Sequence, residues 1–196
     1  EKSHLVLEQI ELRNRARAKF AQADKMFVTR RGLLQATGEA VAGYKARRFK
    51  DFSDVGDLCC GIGGDLMALT ANGKVTGIDL DEVTVLLASE NAQLCQKGAH
   101  QVLCSDLMRC DLEAFAAIHV DPDRRDSTGR RSTNLTLHKP NVVELSEILQ
   151  RVDNVAIKLA PASDVPKDWQ TEFEREWISH DRECKQQIIW AGGLAM

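Results

Sequence analysis

Residues 55–81, V-G-D-L-C-C-G-I-G-G-D-L-M-A-L-T-A-N-G-K-V-T-G-I-D-L-D, constrain this chain more than any other stretch. An apolar run ends in a cluster of glycines, a helix-length pattern follows, and a second apolar run ends in an acid. That order is strand, tight turn, helix, strand, and it requires a parallel strand pair with a right-handed crossover. Gly61, Gly63 and Gly64 allow a turn that brings the backbone close to a ligand. The helix they open presents unpaired N–H groups.

The identity of that ligand is narrowed by three positions. A dinucleotide fingerprint needs a further glycine at position 66, where this chain has Leu66. Asp57, inside the first strand, repels a pyrophosphate but can accept hydrogen bonds from the ammonium group of an amino-acid moiety. Asp79, at the carboxyl end of the second strand, can accept both hydroxyls of a ribose. Asp81 then reads as the N-cap of the next helix. The combination favours S-adenosylmethionine over NAD.

The pattern continues as alternating units. Strands are expected at 55–59, 74–79, 100–104, 117–121 and 155–159, and helices at 65–71, 82–97 and 140–152. In the second of these helices, Val83, Leu86, Leu87, Asn91 and Leu94 form one stripe. The tail at 176–179 and 184–191 suggests an antiparallel pair. Ahead of the repeat, Leu5, Leu7, Ile10, Leu12 and Ala16 mark an amphipathic helix over 4–20. Residues 23–35 read as a connector, and 37–49 as a second helix with Thr37 as N-cap and Glu39 in the first turn. The expected fold is α/β: a Rossmann-like, doubly wound, mainly parallel sheet with an antiparallel C-terminal strand pair and an N-terminal helical cover. Residues 1–50 form the cover and 51–196 the main domain.

The formal net charge of -3 gives no global attraction to nucleic acid, although 13–19 and 123–131 concentrate arginine locally. No apolar run is long enough to span a membrane, and no hydrophobic signal opens the chain. The six cysteines lack paired C-x-x-C spacing, and most read as small buried residues in a reducing compartment, which points to the cytoplasm and to no metal. The chain starts without Met and stops directly after an apolar run, as a fragment of a longer protein would. Its oligomeric state is not specified.

D-L-C-C-G-I-G-G-D followed by T-G-I-D-L-D-E resembles the first two motifs of the class I S-adenosylmethionine-dependent methyltransferases. The resemblance covers about residues 30–160. It implies that Cys59, Cys60, Gly61 and Gly63 lie along the methionine part of the cofactor, and that Asp79 holds the ribose. It further implies that Asp106 contacts the adenine amino group, with Leu80 and Leu107 flanking the ring. A turn or cap role for Asp106 is the alternative. F-V-T-R-R-G-L-L-Q-A-T-G-E-A-V-A resembles the lead-in of the trimethylguanosine-synthase-like methyltransferases, which makes Gln35 and Thr37 cofactor candidates. Their alternative is a connector and a helix cap.

The segment H-V-D-P-D-R-R-D-S-T-G-R-R, residues 119–131, falls where that family seats the methyl acceptor. Enzymes acting on exocyclic amino groups of bases often carry D/N-P-P-aromatic there. This chain keeps Asp121 and Pro122 but has Asp123 and Arg124 in the next two places. Arg124 and Arg125 can bind phosphate or carboxylate, stack on a base, or form internal salt bridges to Asp123 and Asp126. His119 shares a strand face with Asp121 and is either a base or a packed strand histidine. Lys158 either reaches the substrate cleft or neutralises a nearby acid. D-P-x-R-R, together with Cys184, Lys185, Gln186 and Trp190, also resembles a bacterial group called methyltransferase or THUMP-like proteins. That implies an RNA link and a further C-terminal domain. The function expected is S-adenosylmethionine-dependent methylation of a tRNA or rRNA base, with catalytic candidates Asp121, Pro122, Arg124 and Arg125. The alternatives are a non-catalytic S-adenosylmethionine-binding module that presents RNA, or methylation of a small molecule or protein.

Overall fold

The computed structural model describes residues 3–95, 98, 100–125, 130 and 132–196. Strands β1 (Asp54–Leu58), β2 (Lys74–Asp79), β3 (His100–Cys104), β4 (Ala117–Val120) and β5 (Val155–Leu159) are parallel. β6 (Glu174–His180) and β7 (Glu183–Trp190) pair antiparallel and close one sheet of order β3-β2-β1-β4-β5-β7-β6. The turn between them takes positive φ at Asp181 and Arg182, which matches the right-handed strand twist. β4 and β5 are buried throughout, as strands covered on both faces must be. The strand order reverses between the parallel neighbours β1 and β4, so the loops that leave their carboxyl ends run to opposite sides and leave a crevice.

The crossover helices are α4 (Gly64–Leu69), α5 (Glu82–Ala92) and α6 (Val142–Arg151). Asp81 caps α5 by accepting from the Thr84 N–H, and Asn141 with Glu144 forms a capping box on α6. The buried face of α5 differs from the expected stripe. Asn91 is buried as expected, and Leu87 and Leu94 are partly buried, but Val83 and Leu86 are exposed and Ala88 and Ala92 are buried in their place. The reason is close approach: a Cβ on Gly63 would lie 3.5 Å from the Ala88 Cα, so only small residues fit against the glycine turn. Gln96 and Lys97, placed in this helix by the sequence, lie outside the described residues.

The segment before β1 contains α1 (Ser3–Ala16), α2 (Arg30–Gln35) and α3 (Glu39–Ala46). Of the stripe expected on α1, only Leu12 and Ala16 are buried, because only the last turns of that helix meet Phe20, Met26, Val28 and Leu33. Leu5, Leu7 and Ile10 are exposed. The expected connector holds α2, started by Thr29, whose hydroxyl accepts from the Gly32 N–H. Gly38, not Thr37, is the N-cap of α3, since the Thr37 hydroxyl is committed elsewhere.

α3 and the 3-10 turn after it are built into the main core. Val41, Ala46 and Phe49 pack with Val55, Leu66 and Trp190. The Arg48 guanidinium lies 4.3 Å over the Trp190 ring and donates to Glu174 at 2.8 and 2.9 Å. Cys60 is the buried cysteine among the six, and Cys104 and Cys184 are exposed, so burial does not explain most of them. No helix among the described residues is long and apolar enough to cross a membrane.

Phe49 is fully buried between His119 and Trp190. Phe49→Ala is expected to destabilise the protein by about 3–5 kcal/mol in urea unfolding, the cost of emptying a core aromatic site. A loss near zero would show that the segment before β1 folds apart from the sheet.

Candidate functional site

A cavity of about 1070 Å³ opens over the carboxyl ends of β1, β2 and β4. Its floor is the glycine turn. Gly61 has φ +55 with open space where a Cβ would stand, so a ligand can touch the backbone there. The Gly61 N–H donates to Asp79 Oδ2 at 3.0 Å, and the Asp81 N–H to Asp79 Oδ1 at 3.2 Å. Each carboxylate oxygen is thereby aimed by one backbone donor and keeps a lone pair for a ligand. Cys59 and Cys60 also line the floor, and burial pushes both thiols well above their ordinary range. They are neutral packing groups and not nucleophiles. Gly63 does not line the cavity: it caps α4 at φ +88 and packs on α5. Gly64 lines it instead, and a Cβ there would sit 2.7 Å from the Thr37 carbonyl oxygen.

On the β2–β3 side, Leu80 stands exposed and Leu107 is buried in the wall. Asp106 accepts from the Met108 N–H at 3.0 Å and so caps a short 3-10 turn. It also lines the cavity, so the cap role does not remove it from the wall.

Asp57 does not reach the cavity, contrary to its expected contact with an ammonium group. It is fully buried, with Oδ1 2.8 Å from His119 Nδ1. His119 Nε2 lies 3.0 Å from Lys45 Nζ, Lys45 lies 2.7 Å from Asp65 Oδ1, and the Thr37 hydroxyl donates to Asp65 Oδ2 at 2.6 Å. An ammonium has donors only, so His119 Nε2 accepts from Lys45 and Nδ1–H donates to Asp57. The chain runs from the sheet interior to the cavity wall, where Asp65 and Thr37 surface. Burial pushes the Asp57 carboxyl up, against the His119 hydrogen bond. Burial also pulls Lys45 down, against its attraction to Asp65. At Asp65 burial is outweighed by the surrounding positive charge, Lys45 first, and the carboxyl is held well below its ordinary range. His119 is thus the packed strand histidine of the two readings.

At the other end, Asp121, Pro122, Arg124 and Arg125 line the cavity beyond β4. Buried Lys158 pairs with Asp121 Oδ2 at 2.5 Å and is the neutralising partner of that acid. Asp123 exchanges backbone hydrogen bonds with Lys139 at 2.8 and 3.0 Å. The Ser132 N–H donates to the Arg124 carbonyl, and His138 Nε2 donates to the Ser132 carbonyl at 2.9 Å. Burial pushes the His138 imidazole down, which keeps it neutral. Asp123 is not the salt-bridge partner of Arg124 or Arg125. Its carboxylate takes Arg31 at 2.5 Å and the Gln35 amide at 3.0 Å, and accepts the Arg125 backbone N–H. Gln35 lines the cavity but spends its amide on Asp123. Asp126, residues 127–129 and Arg131 lie outside the described residues. Among the described residues no cluster of His, Cys, Asp and Glu could hold a metal.

Arg31, Lys45, Asp65 and Asp123 were not legible as a set in the sequence. Each pairs with a residue 20 or more positions away, and no periodicity marks such a pair.

Two changes test this geometry. Lys45→Met leaves the Asp65 carboxylate buried without its cation and should cost about 3–5 kcal/mol in urea unfolding; a loss under about 1 kcal/mol would mean the chain is not formed. For His138, the folded pKa lies below the ordinary imidazole value of about 6.5. The unfolded chain therefore binds its proton first, so the stability tied to His138 is complete above that value and declines as pH falls below it. His138→Gln keeps an N–H donor for Ser132 and cannot titrate. The stability gap between the two proteins should narrow between about pH 7.5 and about pH 5.5, and a constant gap would contradict the assignment.

No family model and no curated protein sequence matches the chain. Solved structures do. A putative methyltransferase from Porphyromonas gingivalis W83 superposes with TM-score 0.76 at 23% identity, covering 94% of this chain and 49% of that one. The chain thus spans about half the length of that neighbour. Magnesium protoporphyrin IX methyltransferase (ChlM) from Synechocystis PCC 6803 with bound SAH gives TM-score 0.54 at 15% identity, covering 78% of this chain and 80% of its own. An RNA methyltransferase from Salinibacter ruber in complex with S-adenosyl-L-homocysteine gives 0.51 at 15%, covering 80% and 93%. The chain has the Rossmann-like fold these methyltransferases share, with a mostly parallel seven-stranded sheet and an antiparallel C-terminal pair.

Proposed function

We propose that the chain is an S-adenosylmethionine-dependent methyltransferase whose acceptor is a base of RNA. The observation that carries the cofactor half is Asp79, with both oxygens aimed by backbone N–H groups beside the open face of Gly61. A vicinal diol fits that carboxylate, and a nucleoside fits the space between it, Leu80, Leu107 and Asp106. The neighbours crystallised with S-adenosylmethionine or its demethylated product share the fold that builds this floor.

In this reading Asp79 holds the ribose, Asp106 accepts from the adenine amino group, and Leu80 and Leu107 cover the ring faces. Bound there, the cofactor supplies an activated methyl on its sulfonium. Lys158 takes Oδ2 of Asp121, which leaves Oδ1 to accept a hydrogen bond from the acceptor and orient it. Placement of the two reactants supplies most of the catalysis, since the donor is already activated. Pro122 stiffens the loop that carries this acid. Arg124 and Arg125, in the same wall, suit the phosphates of a nucleic acid. The Salinibacter ruber neighbour is an RNA methyltransferase, which supports the same choice. Six free cysteines suit a reducing, cytoplasmic setting.

One observation favours a second reading, a non-catalytic module that binds the cofactor and presents RNA. Arg124 stands where a base-stacking aromatic would be expected.

Isothermal titration should show binding of both S-adenosylmethionine and S-adenosylhomocysteine. Asp79→Ala should weaken it by about 1.5–3 kcal/mol, the scale of lost charged hydrogen bonds. No binding of either, with NAD bound instead, would overturn the cofactor assignment. Incubation with tritium-labelled cofactor and separated RNA, protein and metabolite fractions should place label in RNA. Label in protein or metabolites alone would overturn the RNA choice, and no label in any fraction, with the cofactor bound, would favour the module.

A further inference from the structure

Asp123 occupies a place where proline would fail twice. Proline has no N–H to give the Lys139 carbonyl, and no carboxylate for Arg31 and Gln35. These contacts join two walls of the cavity that come from distant parts of the chain. One wall is α2, which rides on the glycine turn: a Cβ on Gly32 would lie 2.4 Å from the Ile62 Cγ2. Asn91 fixes the approach to that helix, bonding the Phe27 N–H at 2.8 Å and the Phe27 and Ile62 carbonyls at 2.9 Å. Lys19 Nζ binds the carbonyls of Leu33 and Ala36 at the end of α2. The other wall is the loop after β4, held to Lys139 and Ser132 by backbone hydrogen bonds. Both walls are anchored at their bases, and Asp123 links them across the crevice between β1 and β4. Arg31, Gln35 and Asp123 all line the cavity.

We propose that Arg31 and Gln35 are positioning residues that lock the loop of Asp121 to the cofactor wall through Asp123, and that this clasp sets how fast a nucleoside ligand enters and leaves. The proposal rests on the cofactor reading above. Its chemistry is two donors on one carboxylate: a guanidinium N–H on Oδ2 and an amide N–H on Oδ1. The Arg31 side chain is 65% exposed, so its ion pair is screened and the part-buried Gln35 bond shares the load. A clasp of this strength slows passage without sealing the site. A group that bars the way slows entry and release together, whereas one that grips the ligand slows release alone.

The test is the rate of S-adenosylhomocysteine binding and release, read by surface plasmon resonance on immobilised protein. Asp123→Ala should raise both rates at least fivefold, with a smaller change in Kd than in either rate. Gln35→Ala, which leaves the ion pair, should raise both by a smaller factor. The exchange Arg31→Asp with Asp123→Arg should return both rates toward those of the unmodified protein. If Asp123→Ala and Gln35→Ala bind with rates within twofold of the unmodified protein, the clasp does not gate the site. If only release quickens, these side chains grip the ligand and the proposal is wrong. Absence of binding by the unmodified protein would defeat the cofactor reading, and the clasp with it.

Discussion

A buried lysine ammonium is costly to remove from water, and the groups around the site are arranged to match it. Lys45 is almost wholly removed from water. Taking such a charge out of water costs several kcal/mol, and only close, well-aimed partners offset it. Asp65 at 2.7 Å and His119 at 3.0 Å supply them, and His119 passes the constraint on to Asp57. Four elements are tied by that chain: α3 carries Lys45, α4 carries Asp65, β4 carries His119 and β1 carries Asp57. None can shift without leaving a charge or a hydrogen bond unmatched. The segment before β1 is therefore part of the cavity's foundation, as the packing of Phe49 and the Arg48–Trp190 contact also show.

The cavity itself follows from topology. Strand order reverses between β1 and β4, which leaves a crevice at their carboxyl ends. Into it project a glycine turn with free backbone and a carboxylate held by two N–H groups. The acids on the β4 side are each matched by a cation, Asp121 by Lys158 and Asp123 by Arg31. On the β2–β3 side, Asp79 is held by backbone donors alone among the bonds described. The two ends thus differ in kind: one presents a carboxylate aimed by backbone donors, the other presents ion pairs and arginine.

Much of this architecture was legible in the sequence. The limits of β2, β3 and β5 fall where the sequence placed them; for β2 and β5 a short apolar run bounded by turn signals favours a buried parallel strand, whereas β3 is a partly exposed edge strand. Asp81 as a cap and Asp79 at a strand end were readable for the same reason: both depend on position within one element. Lys158 was readable only as an alternative, because whether a strand lysine faces a cleft or an acid is set by the neighbouring strand.

The sequence by itself determined the order of the strands, the glycine turn and the acid that follows β2, since these rest on local periodicity and on backbone conformations few residues adopt. The tertiary structure alone decided that Asp57 is buried and not a ligand contact, that Gly64 replaces Gly63 in the cavity wall, and that Thr37 serves Asp65 and not a helix end. It also decided that Asp123 binds Arg31 and Gln35 from 92 and 88 residues away. The physical reason is the range of the forces involved. Capping and strand patterning act within a few residues, but the desolvation of a charge is relieved by whichever partner the fold brings near, and no local pattern records that partner.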